Sequence, residues 1–159
     1  MRRLSPEREQ FFWKEIKTIC DTSRILQSKA FYQHGFTSVY RHSLHVTYVS
    51  CLLAERYHLP VDYRKLIRGA FLHDYFLYDW HDREHNHKRP HGFYHPSAAL
   101  KNAMEDFELS WEEQNIIKRH MFPLTVVPPG CLEAWIVCCV DKVCSTRETV
   151  YRQKCEKNF

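Results

Sequence analysis

The twelve residues Gly69–Trp80, GAFLHDYFLYDW, carry an apolar run into an adjacent imidazole and carboxylate, His73 and Asp74. Upstream the periodicity is helical, with Leu66, Ile67, Ala70 and Phe71 on one face of a segment that Asp62 can cap. A carboxylate withdrawn from water at the end of such a helix costs several kcal/mol unless a cation or strong donors compensate it. The same dipeptide recurs at His81-Asp82, but inside HDREHNHKRPHG, a polar loop where water solvates both side chains. His73-Asp74 is the pair that needs a partner.

Working outward, nearly every segment reads as helix. Ser5-Pro6-Glu7 opens one, with an N-cap Ser, Pro at the first helical position and an apolar face of Phe11, Phe12, Ile16 and Ile19. Ser23 to Gln33 reads as a short second helix stopped by Gly35. His42, Val46, Val49 and Leu53 recur at i, i+4, i+7 and i+11 along a helix from Ser38 to about Tyr57, which Pro60 ends. Pro96 is expected to be the first residue of another, with Ala98, Ala99, Leu100, Ala103 and Met104. Ser110 and Glu113 form a capping box before Ile116, Ile117 and His120. After Pro128-Pro129-Gly130, CLEAWIVCCVDKVCSTRE is an apolar helix interrupted by Asp141. No alternating run long enough for a convincing strand, no repeat and no linker appears. The expected fold is all-α, a single-domain helical bundle.

A chain of 159 residues is long enough to bury a core. Its net charge of +4, gathered in no basic block, suits a small anionic substrate and argues against nucleic acid as the main partner. The opening MRRLSPEREQFFWKE lacks an apolar signal core, and no run approaches the roughly 20 residues of a membrane span. Seven cysteines include no Cys-x-x-Cys spacing, and Cys20, Cys51, Cys138, Cys139 and Cys144 have apolar neighbours. They read as small core residues of a protein in the reducing cytoplasm.

Several polar residues stand where water should be absent. His42 takes the apolar phase of its helix, His95 and His120 border helices, and Asp141 interrupts WIVCCVDKVC. Each has a plain alternative: a core histidine bonded to a carbonyl, a cap, an ion pair between Asp141 and Lys142. Together with His73-Asp74 they have one common explanation, a metal centre inside the bundle. Nitrogen and oxygen donors without thiolate suit divalent Fe, Mn, Mg, Co, Ni or catalytic Zn.

The order H…HD…H…H…D, from HSLHV at His42 through GAFLHD, HPSAA and IIKRHMFP to VDKVCSTRE, resembles the HD-domain metal-dependent phosphohydrolase superfamily, in its two-metal branch. The resemblance runs from about Thr37 to Arg147, implying an HD domain at 37–147, a helical extension at 1–36 packed on it, and a tail at 148–159. It implies one ion held by His42, His73, Asp74 and Asp141, with Asp74 bridging to a second held by His95 and His120. The implied activity is hydrolysis of a phosphate ester or anhydride of a small nucleotide-like substrate, with Asp74 at its catalytic centre. Arg41, Lys142 and Arg147 flank the ligand segments and are the expected phosphate contacts, with Lys88 and Arg89 of the His-rich loop as further candidates. Asp79, Tyr75 and His45 are candidates to orient the ligand histidines, and Phe71, Tyr75, Phe76, Phe93 and Tyr94 to stack a base. The chain departs from the pattern of many hydrolytic members at Leu77, where a Lys is frequent. The same ligand order also resembles the di-iron oxygenases of the superfamily, and a catalytically idle metal-binding sensory module is a third possibility.

Overall fold

The computed structural model describes residues 3–34, 37–78 and 91–156. In chain order these form α1 (Pro6–Thr22), a 3-10 turn (Ile25–Ala30), β1 (Tyr32–His34), β2 (Thr37–Ser38), α2 (Val39–Arg56), α3 (Tyr63–Leu72), α4 (His91–Asp106), α5 (Trp111–Arg119) and α6 (Leu132–Glu156). The all-α expectation holds: the only described sheet is the small antiparallel β1–β2 pair, with Tyr32 opposite Ser38 and His34 opposite Thr37.

α3 sits at the centre of the bundle. Its N-terminus is capped by Asp62, whose carboxylate accepts from the Arg64 and Lys65 amides at 2.9 and 3.2 Å. Leu66, Ile67, Gly69, Ala70, Phe71 and Leu72 are all buried, so this helix is surrounded rather than lying on a surface. It packs between α2 and α5, with α1 across it, and α6 closes the group against α2 and α5. Phe12, Ile16 and Ile19 of α1 enter the same core as Phe71, Ile116, Ile117 and Val137.

α5 opens with the expected capping box. The Glu113 amide donates to Ser110 Oγ at 3.3 Å, and the Ser110 amide donates to Glu113 Oε2 at 2.7 Å. The other Glu113 oxygen pairs with Arg68 Nε at 3.1 Å, which fastens the start of α5 to α3.

Several expectations need correction. The helix expected over Ser23–Gln33 is a six-residue 3-10 turn running into β1. Its buried residues are Ile25 and Ser28, three apart, which is the repeat of a 3-10 turn and too little to anchor a longer helix. Ser5 precedes α1 as expected, but its hydroxyl does not cap; it donates to Glu55 Oε1 at 2.6 Å and so ties α1 to the end of α2. Pro96 is not the first residue of α4, which already runs from His91 and carries the proline inside it. The missing Pro96 N–H would have donated to Gly92, so the helix gives up one bond. Residues 148–156, expected as tail, continue α6 without a break to Glu156. Cys51, Cys138 and Cys144 are buried as expected, whereas Cys20 is half-buried and Cys139 is exposed.

Candidate metal centre

α3 and α5 end in the same way. His73 follows α3, His120 follows α5, and both keep a right-handed helical backbone. The Nδ1–H of His73 donates to the Ala70 carbonyl at 2.7 Å, and that of His120 to the Ile117 carbonyl at 2.8 Å. Each imidazole thereby satisfies a carbonyl that the helix leaves open in its last turn, and fixes its Nε2 toward the interior.

Asp74 lies between two groups of imidazoles. Its Oδ2 is 3.3 Å from His73 Nε2 and 3.7 Å from His42 Nε2; its Oδ1 is 3.1 Å from His95 Nε2 and 3.5 Å from His120 Nε2. Asp141 of α6 closes the first group, with Oδ1 3.0 Å from His42 Nε2 and 3.8 Å from His73 Nε2. The sets His42–His73–Asp74, His73–His120–Asp141 and Asp74–His95–His120 each hold donor atoms within 4.8 Å of one another and could each take a metal ion. All six side chains are buried, Asp141 being the most exposed at 6%. The sequence-predicted cluster of His42, His73, Asp74, His95, His120 and Asp141 therefore converges at one place.

The donors are arranged for a cation. His73 Nε2 meets no acceptor in hydrogen-bond geometry. Burial, then the neighbouring charges of His73 and other groups, pushes the His120 pKa down to about 3, leaving a neutral ring. Since its Nδ1 carries the proton, its Nε2 presents a lone pair toward the Asp74 carboxylate, another acceptor. His95 Nε2 stands 2.8 Å from that same nitrogen. A positive ion between these atoms would relieve that juxtaposition, and a His/Asp set free of thiolate fits a hard or borderline divalent metal.

In the other group protons do part of that work. Burial disfavours the His42 imidazolium, but hydrogen bonds to Asp141 and Glu148 outweigh it and raise the pKa from 6.5 to about 9. His73 is also held well above its ordinary value: burial opposes its charge, but Asp74 and Asp141 prevail. Against the effect of burial, His73 and His95 hold Asp74 well below the usual carboxylate range, and His42 and His73 do the same for Asp141. Metal ligation needs the Nε2 lone pairs, so binding must expel protons. Metal affinity is expected to rise with pH toward about 9, the His42 value. Titration calorimetry in buffers of different ionisation enthalpy should register the released protons; uptake or no exchange would contradict this protonation state. In the metal-free fold the His42 contribution to stability is complete below its unfolded value of 6.5 and lost as pH rises through about 9.

The centre forms the floor of a cleft of about 570 Å³. Met121, Pro123 and Leu124 line one side and Lys142, Ser145 and Thr146 another, with Asp74, His95, His120 and Asp141 beneath. Of the three expected phosphate contacts, Lys142 lines this cleft. Its Nζ is already bonded to the His120 carbonyl at 2.9 Å and the Cys138 carbonyl at 3.1 Å. Arg41 lines a separate cavity with Trp13, His45 and Glu148, and Arg147 is exposed on α6.

A family model for the HD domain matches residues 39–145. The chain belongs to the HD-domain family. Among curated proteins and among solved structures, none matches it. The family is largely one of metal-dependent phosphohydrolases, and this HD domain presents a buried His/Asp cluster able to hold metal. Of the two His-Asp pairs within the matched span, His73-Asp74 is the one in this cluster; the other, His81-Asp82, lies outside the described residues with Asp79, His85, His87, Lys88 and Arg89. His91 begins α4.

The candidates for orienting the ligands divide. The Tyr75 ring is buried, and its hydroxyl donates to Asp106 at 2.5 Å, a residue also paired with Arg24. Tyr75 thus ties the chain just after α3 to α4, at the carboxylate that Arg24 also holds. Phe76 packs edge-on to His95, centroids 5.8 Å apart, and Phe71 against Tyr40; Phe93 and Tyr94 are exposed. Leu77, at the position where a Lys is frequent, packs on the hydrophobic core. Sequence reasoning missed Glu148, which lies 3.0 Å from His42 Nδ1. Its spacing from Asp141, two helical turns along α6, was the available signal.

Proposed function

We propose that this chain is a metal-dependent phosphohydrolase that cleaves a phosphate ester or anhydride of a small nucleotide-like substrate. The observation that supports it most is Asp74, which turns one carboxylate oxygen toward His42 and His73 and the other toward His95 and His120, at the floor of an open cleft. His42, His73, Asp74 and Asp141 would hold one divalent ion, and Asp74, His95 and His120 a second. Ions so held lower the pKa of bound water to supply hydroxide near neutral pH and neutralise charge on a reacting phosphate.

The rest of the chemistry belongs to the chain. Ser145 Oγ donates to Asp141 Oδ1 at 3.1 Å and fixes the carboxylate that pairs with His42. The cleft volume of about 570 Å³ falls in the usual range for small-molecule sites. Met121, Pro123 and Leu124 give it an apolar wall for a base or other non-polar portion of the substrate. Lys142 brings one positive charge to the rim, its position set by the two carbonyls it bonds. With Arg41 directed to another cavity, Lys142 is the best placed of the expected phosphate contacts.

The test is a panel of nucleotides and other small phosphate esters assayed with Mn, Fe, Mg and Co, beside an oxygen-uptake assay on the Fe(II) form. Metal-dependent release of phosphate, or cleavage of an anhydride or diester bond, is the expected result. Oxygen consumption coupled to product, with no phosphate ester cleaved under any metal, would replace this function by the oxygenase alternative.

A further inference from the structure

Resting on the metal-centre reading above, we infer that Glu148 is the positioning residue for the ligand His42, acting through its Nδ1. Glu148 lies on α6 beyond the residues that the HD-domain model matches, yet its Oε2 is 3.0 Å from His42 Nδ1. A carboxylate only accepts, so Nδ1 must carry the proton in this contact. That leaves Nε2, the nitrogen facing Asp141 and Asp74, as the ligating atom.

Glu148 is held for this task. It shares a helix with Asp141, and seven residues make close to two turns, so both carboxylates lie along one face of α6. His42 is completely buried between them, one oxygen 3.0 Å from each ring nitrogen. Glu148 Oε1 lies 3.9 Å from His45 Nδ1, one turn from His42 on α2. The Glu148 side chain is 12% exposed, at the floor of the cavity lined by Trp13, Arg41 and Tyr48. His73 and His120 obtain the same orientation from backbone carbonyls at their helix ends. His42 lies inside α2, where carbonyls are engaged by the helix, and its orientation has to come from a side chain on another element.

A carboxylate on the distal nitrogen fixes the ring and raises its basicity, and removing such partners typically costs about 10–100-fold in metal affinity. Wild type, Glu148→Ala and Glu148→Gln are compared by competition titration with Co(II), after melting curves show all three folded. Glu148→Ala is expected to lose roughly 10–100-fold in affinity. Glu148→Gln, whose amide oxygen can still accept from Nδ1–H, should recover most of it. The second readout is the proton NMR spectrum of the Co(II) form, where the shifted, slowly exchanging Nδ1–H of His42 should appear in wild type and Gln and vanish in Ala. Wild type that binds Co(II) beside an Ala variant of equal affinity and unchanged spectrum would overturn this assignment alone. Wild type that binds no metal would overturn it together with the metal-centre reading.

Discussion

Asp74→Ala is expected to abolish metal-dependent turnover and to empty both halves of the centre. The residue turns one oxygen to each group of imidazoles: its Oδ2 faces His42 and His73, its Oδ1 faces His95 and His120. Loss of His95 would remove a donor from one half only, whereas loss of Asp74 withdraws the negative charge that both halves use. With that carboxylate gone, His73 keeps only Asp141 to sustain its charge against complete burial, and its pKa should fall. Asp74→Asn separates charge from shape, since it keeps an acceptor and nearly the same volume. Both variants should purify with little metal, measured by elemental analysis after anaerobic preparation, and turnover should drop by at least about 10³-fold, equivalent to about 4 kcal/mol. Asp82→Ala, in the other His-Asp pair, should keep its metal. Equal loss from Asp74 and Asp82 variants would mean that the ligands lie in the second histidine cluster instead.

What the sequence disclosed about this centre was disclosed by contrast. His42 and Asp141 stand out because their neighbours obey an apolar helical period, and a charged group there is anomalous. The Ser110–Glu113 capping box and the Asp62 cap were legible because caps depend on residues two or three apart. Ser5 was legible as a helix start but not as a tie to Glu55, since no local rule reports a contact across 50 residues. Pro96 misled because proline favours the first helical position, whereas α4 already runs from His91 and carries Pro96 inside it. Glu148 stayed hidden because a glutamate in a charged terminal stretch resembles any solvated residue until α2 is seen lying beside it. The phosphate contacts were least legible of all. Arg41 adjoins a ligand in sequence, but on a helix consecutive side chains diverge by about 100°, and it lines a different cavity from the cleft over the centre.

Gly69→Val should show how tightly the bundle sets the spacing of the centre. Gly69 lies one turn before His73, and Ile116 lies one turn before His120. A Cβ on Gly69 would come within 2.4 Å of Ile116 Cδ1 and 3.0 Å of Ile116 Cβ. The terminal methyl can rotate aside; the Cβ is fixed to the α5 backbone and cannot. The absence of a side chain at Gly69 therefore lets α3 and α5 approach, which brings the rings of His73 and His120 to 4.9 Å between centroids. Alanine would gain up to about 1 kcal/mol of helix propensity against this clash, so its net cost is modest. Valine adds two methyl groups in a full core, where overpacking costs about 1–3 kcal/mol. At the upper end the melting temperature of a chain this size should fall by about 6–12 °C. The separation of the helices should also weaken metal binding, although position 69 touches no ligand. Ile116→Ala should lose stability by itself through the cavity it leaves, yet in Gly69→Val/Ile116→Ala the added methyls occupy that space. The double variant should then be clearly more stable than the sum of the two losses predicts. Strict additivity of the two changes, or a Gly69→Val protein that melts and binds metal like wild type, would show that the α3–α5 approach does not govern the centre.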